Sequence, residues 1–350
     1  MDIDKIMKFS EIFIECLIPV ISLYTSRKLS STYVLHKDYK PKDISKVNLP
    51  VELRQKYTDV DVSHIASSKV KKVVLEFTTL LIEKFPPELL SNFYNNINEI
   101  NIKKNHGVLL IAADGMYSCK KNKINYSAIN SIYHELFHMA SSVYNERKRL
   151  CYSGFSQVYY SPINRYVGNN IGFGINEGYT ELMAYRYFER ERGIPITYEF
   201  EVGVVEHLEK IIDQKEMEKL YLTANLMGLI NNLEEYASLD DILDFITRVD
   251  LVNNHYIDNF IFPNNKMKES IISIYRFLLK TYIVKLEKQL DREIITKEEF
   301  LDKIKRYIKA LGTSVKIGRH IYEYFTRENL FAILKEINID NEEIVNLCRK

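Results

Sequence analysis

Apolar residues recur at helical spacing along most of this chain, and a short segment around residue 100 interrupts that pattern. The spacing predicts a helix over 66–84, which ends ahead of Pro86, and a second over about 87–97. Alternating and continuous apolar runs then predict strands. Their predicted ranges are 99–103, 107–113, 116–119 and 123–126, with a hairpin turn at Lys120-Lys121-Asn122 before the last.

The predicted sheet is followed by two helices with a segment of poor periodicity between them. The first helix is predicted to begin after an N-cap at Ser127 and to run to about Tyr144, and the second to cover about 175–190. Residues 147–174 are rich in Tyr, Gly, Asn and Ser and predict an extended excursion. Beyond Pro195 the pattern is almost wholly helical, with helices predicted near 198–213, 215–236, 239–249, 267–290, 297–311 and 320–335.

These elements predict an α+β protein that is predominantly α, built from three parts. Residues 1–65 form an N-terminal helix and extended region, 66–194 a mixed lobe, and 195–350 an all-helical C-terminal lobe. The apolar stretch 12–24 contains Glu15 and Pro19 and is too short to span a bilayer, so we expect a helix packed on the protein body.

Charge and cysteine content narrow the classes of partner and compartment. The 48 basic and 47 acidic side chains leave a formal charge of +1, which indicates neither nucleic acid nor an anionic membrane as a partner. The four cysteines are scattered without a CxxC pair, which is typical of reduced thiols. We therefore expect a cytoplasmic protein without a disulfide framework.

The sequence SIYHELFHMA, residues 131–140, contains the HExxH pattern, whose side chains can bind a metal ion. On a helix, His134 and His138 share one face and can offer two imidazole nitrogens to one metal ion. Glu135 follows the first histidine and can reach a water bound to that ion. A catalytic zinc site needs a third protein ligand.

Few residues qualify as that third ligand. A continuation as HExxHxxGxxH is excluded, since Ser141 and Tyr144 stand where glycine and histidine would be needed. Glu146 would lie about 12 Å from His138 if the helix continued, which is too far. Cys151 stays open, and Glu177 lies in INEGYTE, with Glu181 one helical turn later.

HExxH on one helix followed by NExxxE on a second resembles the gluzincin metallopeptidases, over roughly residues 98–190. The resemblance implies a zincin-like lobe, Glu177 as the third zinc ligand and Glu181 as the residue that orients a ligand histidine. The thirty-eight residues between His138 and Glu177 exceed the usual gluzincin spacing and imply an inserted loop or hairpin within 147–174. Without a GAMEN-like strand, nothing favours exopeptidase action.

The expected activity is therefore zinc-dependent hydrolysis of a peptide or protein substrate by a zinc-bound water, with Glu135 as general base. Two alternatives stay open: a catalytically inactive, zinc-stabilised regulatory or binding protein, and a metal-dependent hydrolase of non-peptide amides. For the oxyanion donor the candidates are Tyr159, Tyr160, Tyr166 and His207, although packing is the favoured role for each tyrosine.

Overall fold

A computed structural model describes residues 60–105, 115–160, 170–190, 193–254, 265–317 and 320–336. Within them the protein is α+β and predominantly α, as predicted. The predicted N-terminal helix, the strand predicted at 107–113 and the candidate Tyr166 lie outside the described residues.

The described residues divide into two compact units that alternate along the sequence. The first contains the residues up to Ile171, with Met183–Ile194 and Tyr221–Asn225. The second contains Gly172–Leu182, Pro195–Leu220 and the residues from Leu226 onwards. The segment Gly172–Leu182, which carries Glu177, thus groups with the helical half of the chain.

The first unit has two small sheets around one buried helix. Its elements in chain order are α1 Ser68–Lys84, α2 Ser91–Ile97, β1 Asn101–Lys104, β2 Gly115–Ser118, β3 Lys123–Tyr126, α3 Ser131–Ala140, β4 Ser142–Asn145, β5 Leu150–Ser153, β6 Ser156–Tyr159 and β7 Asn170–Ile171. One sheet has the order β1-β3-β2, with β1 parallel and β2 antiparallel to β3. The other is antiparallel in the order β4-β5-β6-β7.

Helix α3, which carries the HExxH residues, is shorter than predicted at both ends. It begins at Ser131 and ends at Ala140, where the hydroxyls of Ser141 and Ser142 donate to the carbonyls of Phe137 and His138. Serine hydroxyls that bond back to the preceding turn compete with continuation of the helix. The next residues form β4 and pair with β5.

The excursion predicted over 147–174 contains a hairpin, one of the two forms expected for the insertion, and its described part is more regular than the sequence indicated. Strands β5, β6 and β7 lie there, and together with β4 they form a sheet that follows α3. The strand signal was weak because β5 is buried at all four positions, so apolar and polar residues do not alternate along it.

The cysteine prediction is also wrong for one pair, because Cys119 and Cys151 form a disulfide. Cys119 lies in the 3₁₀ turn between β2 and β3, and Cys151 lies in β5, so the bridge connects the two sheets of the first unit. Disulfides persist mainly in oxidising compartments. The cytoplasmic location therefore loses its main support and stays only a prediction.

The second unit is mostly helical. Its elements are most of α4 Phe173–Ala184, then α5 Glu199–Ile212, most of α6 Gln214–Leu222, α7 Leu226–Leu233, α8 Leu239–Asn254, α9 Asn265–Asp291, α10 Lys297–Leu311, β8 Ser314–Ile317, β9 His320–Glu323 and α11 Arg327–Glu336. The long helix α9 packs against α5, α8, α10 and β9.

The prediction that residues 195–350 are all-helical is wrong at β8 and β9, which pair as an antiparallel hairpin. In the range 320–335, where the sequence predicts a helix, β9 occupies the first part and α11 most of the rest. His320, Tyr322 and Tyr324 alternate with less buried neighbours, a period that favours a strand. In the described part of the chain, no helix combines the length and apolarity needed to cross a bilayer.

Candidate metal centre

His134 and His138 turn their Nε2 atoms toward one another from successive turns of α3. These nitrogens are 3.0 Å apart, the rings meet edge to face, and both side chains are buried. Two zinc–nitrogen bonds of about 2.0–2.1 Å in tetrahedral geometry place their nitrogens about 3.3 Å apart. The observed separation is therefore close to what a shared metal ion requires.

The neighbouring face of α3, about 100° round the helix from the histidines, is held by aromatic packing. Tyr133 stacks on Phe188 with centroids 4.5 Å apart, and Phe137 meets Phe77 edge to face at 4.9 Å. At the C-terminal end, the amide of Asn96 donates to the carbonyl of Met139 at 2.9 Å. These contacts fix the rotation of the helix about its axis, and with it the direction of both histidines.

Glu135 is also buried, and strand β2 passes directly over it. A Cβ atom added at Gly115 would lie 2.7 Å from Oε1 of Glu135 and 2.8 Å from the hydroxyl oxygen of Ser131. Any larger residue at 115 would have to displace the Glu135 carboxylate. Gly115 was not identified from the sequence, since this strand and α3 approach each other only in the folded chain.

Glu177 on α4 completes a group with the two histidines. One ligand atom from each of His134, His138 and Glu177 lies within 4.8 Å of the other two, and all three residues are buried. Among the described residues, this is the one group of three or more such side chains that can hold a metal ion.

The competing candidates for the third ligand are eliminated. Cys151 is bonded to Cys119 and has no thiol to offer. Glu146 is exposed and follows β4, because α3 ends well before it.

Helix α4 is held by residues that were not identified from the sequence. Asp250 on α8 accepts hydrogen bonds from the backbone amides of Gly172 and Gly174, each at 2.8 Å. On the next turn, a Cβ atom at Gly178 would lie 2.5 Å from the backbone carbonyl of Glu201, so α4 and α5 are in direct backbone contact. No local motif links Asp250 or Glu201 to Glu177.

Two of these supporting carboxyl groups are buried and electrostatically perturbed. The pKa of Glu201 is raised to about 7, mainly by burial and to a smaller extent by the nearby charges of Glu177 and Glu181, while a hydrogen bond from Asn253 opposes the shift. Burial also raises the pKa of Asp250 to about 7, against the effect of its backbone hydrogen bonds at the start of α4.

Glu181 is buried on α4, and its Oε1 accepts the backbone amide of Thr197 at 2.6 Å. This contact fixes part of the carboxylate at the far end of the helix from Asp250. The predicted interaction of Glu181 with a ligand histidine stays a prediction.

The candidates for an oxyanion donor make packing contacts. Tyr159 packs against the cluster of Leu150, Tyr152 and Ala224, and Tyr160 meets Tyr144 edge to face. Burial raises the pKa of Tyr160.

The fourth candidate described, His207, is buried on α5. Its ring meets that of Tyr307 edge to face at 5.2 Å, and its Nδ1 has no hydrogen-bond partner.

No protein-family model, curated protein or solved structure matches this chain. The similarity to gluzincins therefore rests on the HExxH and NExxxE residues alone and stays a prediction. What stands is a buried group of two histidines and one glutamate that can hold a metal ion.

Proposed function

We propose that this protein is a zinc-dependent metallopeptidase whose metal is held by His134, His138 and Glu177. The observation that supports the proposal is the convergence of these three buried side chains, with Glu135 adjacent to the first ligand on the same helix. A helical HExxH pair supplies two ligands, and the carboxylate of Glu177 from a second helix supplies the third that a catalytic zinc site needs.

The donor set fits zinc. Two imidazoles and one carboxylate form a ligand set used in catalytic zinc sites, which keep a further position for water or substrate. Calcium and magnesium prefer sites made of oxygen atoms only. When bound, zinc would polarise the scissile carbonyl and acidify the attacking water.

Glu135 then carries out the proton transfers. Its carboxylate accepts a proton from the attacking water and returns it to the leaving amine, which is the usual division of labour for a general base that later acts as an acid. Metal binding does not require this residue. A buried glutamate held between α3 and the backbone of Gly115 is therefore the feature that favours an enzyme over a purely structural metal site.

The test is to replace Glu135 with Gln and measure bound metal and peptide hydrolysis separately. We expect Glu135→Gln to bind zinc as the wild type does and to lose hydrolysis of a peptide library by about 10²–10⁴-fold. Glu146→Gln is the matched control, because Glu146 is exposed outside the helix. Glu177→Gln should lose the zinc itself.

Each other outcome has a definite meaning. Full turnover by Glu135→Gln would remove Glu135 from the base role. Wild-type protein that binds zinc stoichiometrically and cleaves no library peptide would favour a zinc-stabilised regulatory or binding protein. Cleavage confined to non-peptide amides would keep the site and change the substrate class.

A further inference from the structure

The first turn of α4 obtains its capping group from another helix. Residues 172–175 have the sequence Gly-Phe-Gly-Ile and carry no polar side chain. The exposed amides at a helix start need acceptors, which a local Ser, Thr, Asp or Asn usually supplies. Here the carboxylate of Asp250 accepts from Gly172 and Gly174 instead.

The start of α4 is also in close backbone contact with α8, the helix that supplies the capping carboxylate. A Cβ atom at Gly174 would lie 2.9 Å from the carbonyl oxygen of Val249, the residue that precedes Asp250. The start of α4 therefore rests on the backbone of α8 and is bonded to it at the same place. Glu177 lies one helical turn after Gly174, so a shift of this turn would move the carboxylate that completes the metal group.

Asp250 and Asn253 are three residues apart and share one face of α8. The side-chain amide of Asn253 donates to Glu201 at 2.9 Å, and the backbone of Glu201 is the surface on which Gly178 rests. Helix α8 thus contacts α4 about one turn before Glu177 and, through Glu201, at the residue directly after it.

A buried carboxylate is a costly way to cap a helix. Asp250 is only 1% exposed, and an ionised group removed from water must be compensated by hydrogen bonds and nearby positive charge. The amides and the helix dipole at the start of α4 supply that compensation only if the carboxylate is held close to them. The cost is explained if the position of α4 matters more than its stability.

We propose that Asp250 is a positioning residue for Glu177, which sets the metal affinity of the site by holding the first turn of α4. Asn253 contributes to the same positioning of α4 through its hydrogen bond to Glu201. This inference rests on the proposed zinc site, and the readout that tests it is zinc affinity in the absence of substrate.

The experiment compares Asp250→Asn with Asp244→Asn. Both changes remove one carboxylate from α8, but Asp244 is exposed and paired with Arg248 on the helix surface. Zinc dissociation constants are measured by competition with a chromogenic chelator, at a temperature where the near-ultraviolet circular dichroism shows each protein fully folded. We expect Asp250→Asn to bind zinc about 10–100-fold more weakly and Asp244→Asn to match the wild type.

A second variant covers the case in which Asp250→Asn does not fold. Asn253→Ala removes the hydrogen bond to Glu201 and leaves the cap of α4 in place, and we expect it to weaken zinc binding by a smaller factor. Unchanged zinc affinity in a folded Asp250→Asn, or in Asn253→Ala if the first variant fails to fold, overturns the positioning role and leaves the zinc site intact. Wild-type protein that binds no zinc overturns both proposals.

Discussion

His207 illustrates how burial can set the charge of a residue. Its pKa is lowered from an ordinary value of 6.5 to about 3, mainly by burial and to a smaller extent by the charge of the neighbouring Lys210. Tyr307 on α10 meets the ring edge to face and offers no negative charge. The folded protein therefore holds this histidine neutral, whereas the unfolded chain accepts a proton near pH 6.5.

The consequence is a loss of stability in acid. Between about pH 6.5 and pH 3 the unfolded state binds more protons at this position than the folded state, so the free energy of unfolding falls as the pH falls. One group contributes at most about 1.4 kcal/mol per pH unit. Between about pH 6.5 and pH 3 we expect the free energy of unfolding of His207→Phe to fall less steeply with decreasing pH than that of the wild type. The two slopes should differ by up to this amount.

Urea unfolding at pH 7, 6, 5 and 4, with chelator present, checks the prediction for His207. The difference between the wild type and His207→Phe cancels the contributions of the groups that both proteins share. Two parallel curves would show that His207 has an ordinary pKa in the folded protein.

At the scale of elements, the contact between α4 and α5 depends on a single glycine. A Cβ atom at Gly178 would lie 2.5 Å from the backbone of Glu201, which cannot move aside as a flexible side chain could. Gly203 lies on α5, and a Cβ atom added there would have no other atom within 4 Å. The two positions form a matched pair, because alanine favours a helix at both and is obstructed at only one.

We expect Gly178→Ala to lower the free energy of unfolding by about 1–3 kcal/mol through overpacking. Gly203→Ala should raise it by up to about 1 kcal/mol through the greater helix propensity of alanine. Chemical denaturation of both variants beside the wild type measures the contrast. Equal effects of the two substitutions would mean that α4 and α5 are not in backbone contact.

The elements also show how far the sequence predicts this fold and site. The pair His134 and His138 was predictable because helical spacing by itself puts both on one face. The end of α3 was not, because it depends on Ser141 and Ser142 bonding back to the last turn. Asp250 was not predictable either, since its partners Gly172 and Gly174 are more than seventy residues away in the chain.

At the scale of the whole molecule, the disulfide is the one covalent cross-link among the described residues. It closes a segment with a sequence separation of 32 and thereby ties the hairpin of β2 and β3 to the sheet that contains β5. Helix α3 lies within that segment, so the HExxH residues belong to the loop of chain that the disulfide closes. Scattered cysteines do not reveal such a bridge, because the chain must first fold to bring Cys119 and Cys151 together.

The bridge should stabilise the folded state by limiting the conformations of the unfolded chain. For a closed segment of this length, the chain-entropy model gives about 3–4 kcal/mol. We expect dithiothreitol to lower the free energy of unfolding of the wild type by about this amount. The double variant Cys119→Ala/Cys151→Ala should be less stable from the start and insensitive to the reductant, although it keeps Cys16 and Cys348.

A thiol count in denaturant, without reductant, gives an independent measurement. At most two of the four cysteines should react in the wild type, and the double variant should give the same count because both proteins contain Cys16 and Cys348. Four reactive thiols in wild-type protein prepared without reductant would contradict the bridge. They would also restore the case for a reducing compartment, because the disulfide is the observation that weighs against one.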